Sequence, residues 1–370
     1  DTSLEQVFQQ NTDGLGDQAV RRKSGKDDIG AIRMPKIIAA TATVSDPARQ
    51  TEVLYQRECQ QFPRPGPDLY ESFYSHPKRP DDNTRLARLD QTGDVETFAP
   101  WSRVYACFMT NGGTHTITTV NILAALHATI TSLLVDLWQA TDPVRQTRAV
   151  TRLIDGLTGV DEDEMSDMRA EALASARDAK QFSAIATLVD LHRVVLTYVT
   201  NKKGGDVVLD ALQDVSRETH RYDGLPEDEL KLDLISGGVD MENIERVMRE
   251  AERAQTQDGE FVPLSDGLRN IVATSAISHG VDVDRLNSLV FAGIPSNIAE
   301  YIQASSRVGR AHVGFSLLVP TPQSRRDRYV VEVHRPFHRF LERMISPPAI
   351  DRWAAHAIKR VMPSLFQAWL

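Results

Sequence analysis

A chain of 370 residues, 41% hydrophobic and 25% charged, has an ordinary globular composition and a length that suits two or three domains, each able to bury a core. Its two cysteines, Cys59 and Cys107, stand in neither a CxxC nor a Cys/His spacing. That excludes a disulfide framework, predicts no metal site, and makes a reducing cytoplasm the expected compartment. The formal charge of −9 excludes a uniformly basic nucleic-acid binder, yet the charge is unevenly placed. Residues 206–266 hold 17 Asp and Glu against 6 Lys and Arg, whereas residues 301–370 hold 11 Lys and Arg against 4 Asp and Glu. The C-terminal section is the part suited to face phosphate.

Residues 1–33 are polar and glycine-bearing with no sustained apolar period, and read as surface loops. The chain opens on Asp-Thr-Ser-Leu-Glu without a basic or apolar leader, so no signal peptide is expected and a segment of a longer protein is. Ile37-Ile38-Ala39-Ala40 has the character of a buried strand, and Ser45-Asp46-Pro47 behind it predicts a helix N-cap followed by proline at the first helical position. Phe62-Pro63-Arg64-Pro65-Gly66-Pro67 can enter neither a helix nor a sheet interior, and a domain boundary is placed there.

A second α/β unit begins near residue 98. Residues 103–109 read as a buried strand, Asn111-Gly112-Gly113 as a turn, and residues 119–140 as a helix. Asn121, His127, Thr131 and Asp136 interrupt the long apolar stretch at 120–138, so it is expected to be a buried helix and not a membrane span. Residues 142–180 are helical and acidic, an insertion without evident chemistry. Residues 194–199 form a strand, Asn201-Lys202-Lys203-Gly204-Gly205 a loop, and residues 207–215 an amphipathic helix. Strands alternating with helices predict a parallel sheet flanked by helices.

Residues 270–319 carry the functional signal. Residues 270–274 form a strand, 275–283 a loop containing Gly280-Val281-Asp282, 288–293 a second strand, and 301–310 a helix with Gln303, Arg307 and Arg310 on adjacent turns. Two arginines three apart project from one helical face and form a fork for a polyphosphate. Phosphoryl transfer spreads negative charge that guanidinium donors from a facing domain stabilise. A Gly-x-Asp turn lets backbone approach a ligand while its carboxylate accepts hydrogen bonds.

Ala273-Thr274-Ser275-Ala276-Ile277-Ser278-His279-Gly280-Val281-Asp282-Val283 resembles motif V of superfamily 2 helicases, and Gln303-Ala304-Ser305-Ser306-Arg307-Val308-Gly309-Arg310 resembles motif VI. Thr41-Ala42-Thr43 resembles motif III, and residues 198–203 resemble motif IV. Within the superfamily the phrasing is similar to the DISARM-type antiphage helicases, the DrmA-like group. The local features are Lys36-Ile37-Ile38-Ala39-Ala40-Thr41-Ala42-Thr43, the proline-rich 62–67 stretch with Ser72-Phe73, residues 299–310, and the tail Arg325-Arg326-Asp327-Arg328-Tyr329 with His338-Arg339.

The resemblance implies an α/β, RecA-like, P-loop NTPase-type parallel sheet with a helical insertion and a helical C-terminal tail. It implies three parts: residues 1–75 as the remnant of a first RecA-like domain, 98–320 as the second RecA-like domain with its insertion at about 142–180, and 321–370 as a basic helical extension. It also implies an ATP-dependent helicase or translocase, using ATP with Mg2+ and acting on nucleic acid, DNA ahead of RNA. Arg307 and Arg310 would be catalytic, Gly280, Asp282 and Gln303 would bind the cofactor, and Thr41, Thr43, Asn201, Thr274 and Ser275 would contact nucleic acid or couple it to the nucleotide. Partners would be a P-loop domain, in cis or in trans, and other subunits of a defence system.

One departure is decisive for chemistry. No Gly-x-x-x-x-Gly-Lys-Ser/Thr and no Asp-Glu-x-His occurs in the chain, so the main phosphate cradle is expected on a P-loop domain outside these residues, and this segment alone is expected to be inactive. Each site residue also has a plainer reading: Arg307 and Arg310 as surface arginines, Asp282 as a turn former, Thr41 and Thr43 as strand residues, His279 as a loop histidine. The basic tail from Arg325 to Arg360 binds a phosphate backbone or is a solvated amphipathic region with Phe337, Phe340, Trp353 and Phe366 as anchors, and the acid-rich 206–266 section is a solvated face turned away from nucleic acid. Two functions stand: the second half of an ATP-driven motor, or a non-catalytic helicase-like scaffold.

Overall fold

The computed structural model describes residues 37–41, 44–55, 58–62, 88–89, 95–96, 103–110, 113–139, 142–155, 163, 166–167, 170, 179–227, 229–236, 241–253, 262–275, 283, 285–310, 312–347, 350 and 354–369. The chain divides into two units, Asp1–Pro77 with Glu342–Leu370, and Lys78–Leu341.

In the first unit, helix α1 is Pro47–Tyr55. It starts as the sequence predicts: Asp46 Oδ1 accepts the Arg49 amide at 3.0 Å, relieving one of the four donors that a helix start leaves unpaired. The strand expected at 37–40 is corrected, because these residues take no regular structure and Ile38 is 85% exposed. A strand persists only beside a partner that takes its hydrogen bonds, and among the described residues none pairs with this run. Near the other end of the unit, the amphipathic helix Ala355–Trp369 leaves Phe366 exposed.

The second unit is built on a six-stranded sheet: β3 (Arg103–Cys107), β4 (Val195–Val199), β5 (Lys231–Ile235), β6 (Leu268–Ala273), β7 (Ser288–Ala292) and β8 (Gly314–Val319). The order is β3-β8-β7-β4-β6-β5, and all five pairings are parallel. A separate antiparallel pair joins β1 (Arg88–Leu89) and β2 (Val95–Glu96). Parallel neighbours need crossovers, and helices supply them, so both faces are covered and β4, β6 and β7 are buried at every residue.

Helices α2 (His115–Leu134) and α5 (Lys202–Asp223) cover one face. There Val120, Leu123 and Ala124 of α2 meet Val208 and Leu212 of α5 over Val195, Val199, Val272 and Val290. Gly205 lets α5 lie close to the sheet, since a Cβ there would come within 3.2–3.3 Å of Val199, Leu234 and Val272. The alternation that sends Val195 and Val199 one way sends Tyr198 the other, where it stacks on Phe291, which stacks on Tyr301 of α7 (Ile298–Ser305).

α2 is the one helix among the described residues long and apolar enough to cross a membrane. Its inward stripe is spent on this core and on a second cluster with α3 (Pro143–Asp155) and α4 (Ala179–Asp190), as expected for a buried helix. The α-helix gives way at Val135–Gln139 to a π-helical turn. Strand β5 went unpredicted because Lys231 and Asp233 break its apolar run. Both find partners on α6 (Met241–Glu252), Lys231 with Glu250 and Asp233 with Arg246.

Two measurements would test the packing of this unit. Replacing Leu123, fully buried between the two helices and the sheet, by alanine is expected to cost about 2–5 kcal/mol, read as a lower denaturant midpoint. His127, fully buried beside Arg269, is held neutral with its pKa well below the ordinary 6.5, first by desolvation and then by the Arg269 charge, with His220 adding to it and Asn270 opposing. The unfolded chain takes up that proton as pH falls through 6.5 and the folded chain does not. Stability should therefore be full above that pH and decline below it, and thermal melts from pH 7.5 to 5.5 should show a smaller decline for His127→Gln.

Candidate functional site

Because every strand of the sheet points the same way, each connecting segment emerges at one of two edges, and the sequence-predicted residues sort between them. At the carboxyl edge, Asn201 follows β4 and caps α5, its Oδ1 accepting the Gly204 amide at 2.8 Å. The segment 201–205 is thus the start of a helix, correcting its reading as a loop: a capping asparagine offsets the low helix propensity of two glycines. Lys202 and Lys203 stand exposed on this first turn. On the neighbouring strand Thr274 follows β6, its amide donating to Ile235 O at 3.1 Å, and Ser275 is exposed beside it.

Two further helices begin at the same edge. α7 is capped by Asn297, whose Oδ1 accepts the Ala299 amide at 2.9 Å. α8 (Arg325–Glu332) is capped by Ser324, with the buried Asp327 accepting from Thr321 N at 2.9 Å and from Ser324 Oγ at 2.8 Å. Three helix N-termini with their partial positive charge, and exposed Lys202, Lys203, Arg325 and Arg326, make this edge suited to anions. Cys107, at the end of β3, lies on this side, its thiol pushed up to about 11 by burial and by the Asp327 charge.

Arg307 and Arg310 lie at the other edge. The predicted helix over 301–310 is corrected: α7 ends at Ser305, and Arg307 and Arg310 follow in turns, with Gly309 between them at a φ of 74°. The two arginines therefore do not share a helical face. Gly309 N donates to Leu286 O at 3.2 Å, just before β7, and Arg103 Nε, at the first residue of β3, donates to Val308 O at 2.9 Å. Arg307 is half-buried, with its guanidinium pKa lowered by desolvation, and Arg310 is exposed. Of the predicted 275–283 loop, Ser275 stands at the carboxyl edge, whereas Val283 at its far end accepts the Leu286 amide at 3.5 Å, next to the bond that holds the arginine turn.

Beneath the arginine turn sits a buried charge cluster that the sequence reading missed. Asp190, fully enclosed, pairs with Arg193 at 3.0 Å and with Arg285, and Arg193 also donates to Val262 O at 2.9 Å. Arg269 donates to His127 O at 3.2 Å and to Thr131 Oγ1 at 2.8 Å. Burial lowers Arg193 and Arg285 to about 10 and Arg269 to about 9. Two guanidiniums on one carboxylate, with Arg269 as a further positive charge, bias this edge towards anions. No local pattern marks these residues, because they meet only across the fold.

Gln303 lies half-buried on α7. Tyr301 holds that helix to α9 (His334–Arg339): its OH lies 2.9 Å from His338 Nε2, and its ring packs on Phe337. Phe337 is thus the anchor expected of the tail, whereas Phe340 is 40% exposed. Thr41 lies exposed in the first unit. Thr43, His279, Gly280, Asp282 and Trp353 lie outside the described residues. No group of acidic, His and Cys residues able to hold a metal occurs among the described residues.

Compared with known families, residues 193–312 match the helicase conserved C-terminal domain. The matched residues run through four of the six parallel strands of the helix-flanked sheet, the arrangement expected of a RecA-like domain. The chain is related to the DISARM protein DrmA of Bacillus paralicheniformis, with 27% identity over 339 residues, 91% of this chain and 24% of that protein. It therefore spans about a quarter of that relative's length. Solved structures similar to it include the DUF1998 helicase MrfA bound to DNA and AMPPNP, at a TM-score of 0.34 and 16% identity over 48% of this chain and 22% of that one. A DEAD box protein of Methanococcus jannaschii has a TM-score of 0.28 and 21% identity over 45% and 37%.

Gly314 provides a test of the arginine turn. A Cβ there would fall 2.5 Å from Gly309 N and 2.7 Å from its Cα, so backbone must move. Gly314→Ala is expected to destabilise the domain by about 1–3 kcal/mol, seen as a lower melting temperature.

Proposed function

We propose that this chain is the second motor half of an ATP-dependent nucleic-acid translocase, with the arginine edge facing a nucleotide held by a P-loop domain and the carboxyl edge facing the nucleic acid. The observation that carries the reading is the sorting of Arg307 and Arg310 to the amino edge, with buried Arg193 and Arg269 and half-buried Arg285, while Asn201, Lys202, Thr274 and Ser275 stand at the carboxyl edge. A scaffold requires neither grouping.

The donor set at the amino edge fits a polyphosphate: a half-buried guanidinium is attracted to phosphate more strongly than an exposed one and cannot lose its proton near neutral pH. ATP with Mg2+, carried mainly by the P-loop domain, would supply the phosphoryl group. Here Arg307 and Arg310 would orient and neutralise its oxygens, with Gln303 and the Gly280-Val281-Asp282 turn completing the site. At the carboxyl edge the helix starts and lysines would hold phosphates of the strand, and Thr274 and Ser275 would couple the two edges through the connection that leads on to Leu286. Thr41 and Thr43 would serve the same coupling from the first domain. We place residues 1–75 in that first domain, 98–320 in the second and 321–370 in a basic extension. The relation to the DISARM group favours DNA over RNA, a cytoplasmic setting and other defence subunits as partners.

In the complete motor, Arg307→Ala and Arg310→Ala should each lower ATP turnover by about 10³-fold or more, the scale of arginine fingers, with little change in ATP binding. Near-normal turnover in both variants would favour the scaffold. Independently, Lys202→Ala with Lys203→Ala should weaken DNA binding and reduce the slope of log affinity against log salt by about 0.7–0.9 for each phosphate that is no longer neutralised. An unchanged slope would remove the carboxyl edge from the nucleic-acid path.

A further inference from the structure

Val308 and Gly309 are the two residues between the arginines, so their backbone sets where both guanidiniums project. Three strands hold them. From β8, Gly314 packs so closely that a Cβ would lie 3.0 Å from Val308 C. From the lead into β7, Leu286 O accepts Gly309 N at 3.2 Å, and from β3, Arg103 Nε donates to Val308 O at 2.9 Å. Arg103 and Gly314 are partners in the β3–β8 register, so the clamps from β3 and β8 meet the turn side by side.

Only the Arg103 clamp is made by a side chain. Val308 is fully buried, so its carbonyl has no access to water and depends on protein donors. The hydrogen bond also spans 205 residues and ties the sheet's edge strand to the arginine turn.

We propose that Arg103 is a positioning residue for Arg307 and Arg310: its Nε–H fixes the Val308 carbonyl, and through it the angle at which the two guanidiniums leave the turn. This rests on the reading of those arginines as phosphate-facing. The property required of Arg103 is a neutral one, an N–H donor four bonds out from Cα. Glutamine presents its amide nitrogen at that same depth without the charge, and methionine supplies a stem of similar length without a donor.

The first measurement needs no nucleotide. Amide hydrogen exchange at Gly309 in the 370-residue chain should be severalfold faster in Arg103→Met, the scale of one missing hydrogen bond, and restored in Arg103→Gln. Unchanged exchange in Arg103→Met overturns the proposal. The second uses the complete motor with saturating DNA. Arg103→Met should lower kcat by about tenfold to a hundredfold, as a misplacement of about 1 Å does, with KM for ATP unchanged, and Arg103→Gln should recover most of the rate. In an Arg307→Ala, Arg310→Ala background Arg103→Met should cost nothing more. A loss that persists there shows a general structural role and overturns the proposal, as does full turnover in Arg103→Met. If the double arginine variant itself turns over normally, it is the phosphate-facing reading that fails, and the exchange result then reports the clamp alone.

Discussion

The hydrogen-bond ladder of a parallel sheet is the constraint on which the rest of this domain depends. With all six strands pointing one way, every connection must return past the sheet, the crossovers cover both faces, and the polar connecting segments can surface only at two edges. The chain therefore cannot bring Thr274 and Arg307 together: one leaves a strand and the other approaches one. The separation of the carboxyl-edge residues from the arginine turn follows from strand direction before any side chain is considered.

Once the edges are set, packing decides how rigid each is. The carboxyl edge is built from helix starts, each satisfied by its own cap at Asn201, Asn297 and Ser324, and its charges are exposed. The amino edge is built from buried polar groups. Asp190 with Arg193 and Arg285, and Arg269 over the end of α2, would be costly if any partner were missing, so they specify the arrangement more than they strengthen it. A turn that must present guanidiniums at a fixed angle gains from that ground, and a loop in water would not supply it. The aromatic stack from Tyr198 through Phe291 and Tyr301 to Phe337 does the same for the helix that precedes the turn.

Much of this was legible in the residues. The continuous apolar runs at 194–199 and 288–292 announce strands buried on both faces, Asp46-Pro47 announces a helix start, and the polar breaks in 120–138 mark a helix of a protein core. What misled was short-range pattern without its partner. Ile37-Ile38 has the composition of a strand but none beside it among the described residues, β5 hides behind two charges that α6 neutralises, and Gly204-Gly205 suggested a loop where one glycine serves helix-to-sheet approach. The spacing of Arg307 and Arg310 suggested one helical face, yet the helix ends at Ser305, and Gly309 at positive φ turns the chain between them.

Sequence alone determined the class of fold, the order of its motifs and the residue types at the candidate site, because these rest on periodicity, capping and local chemistry that neighbouring residues carry. Only the tertiary structure decided which edge each residue occupies, that the arginines sit on a turn, and that Arg103, Asp190 and Arg285 support them. Those are pairings between residues far apart in the chain, made by strand order and register, and no local pattern encodes which strand will lie beside which.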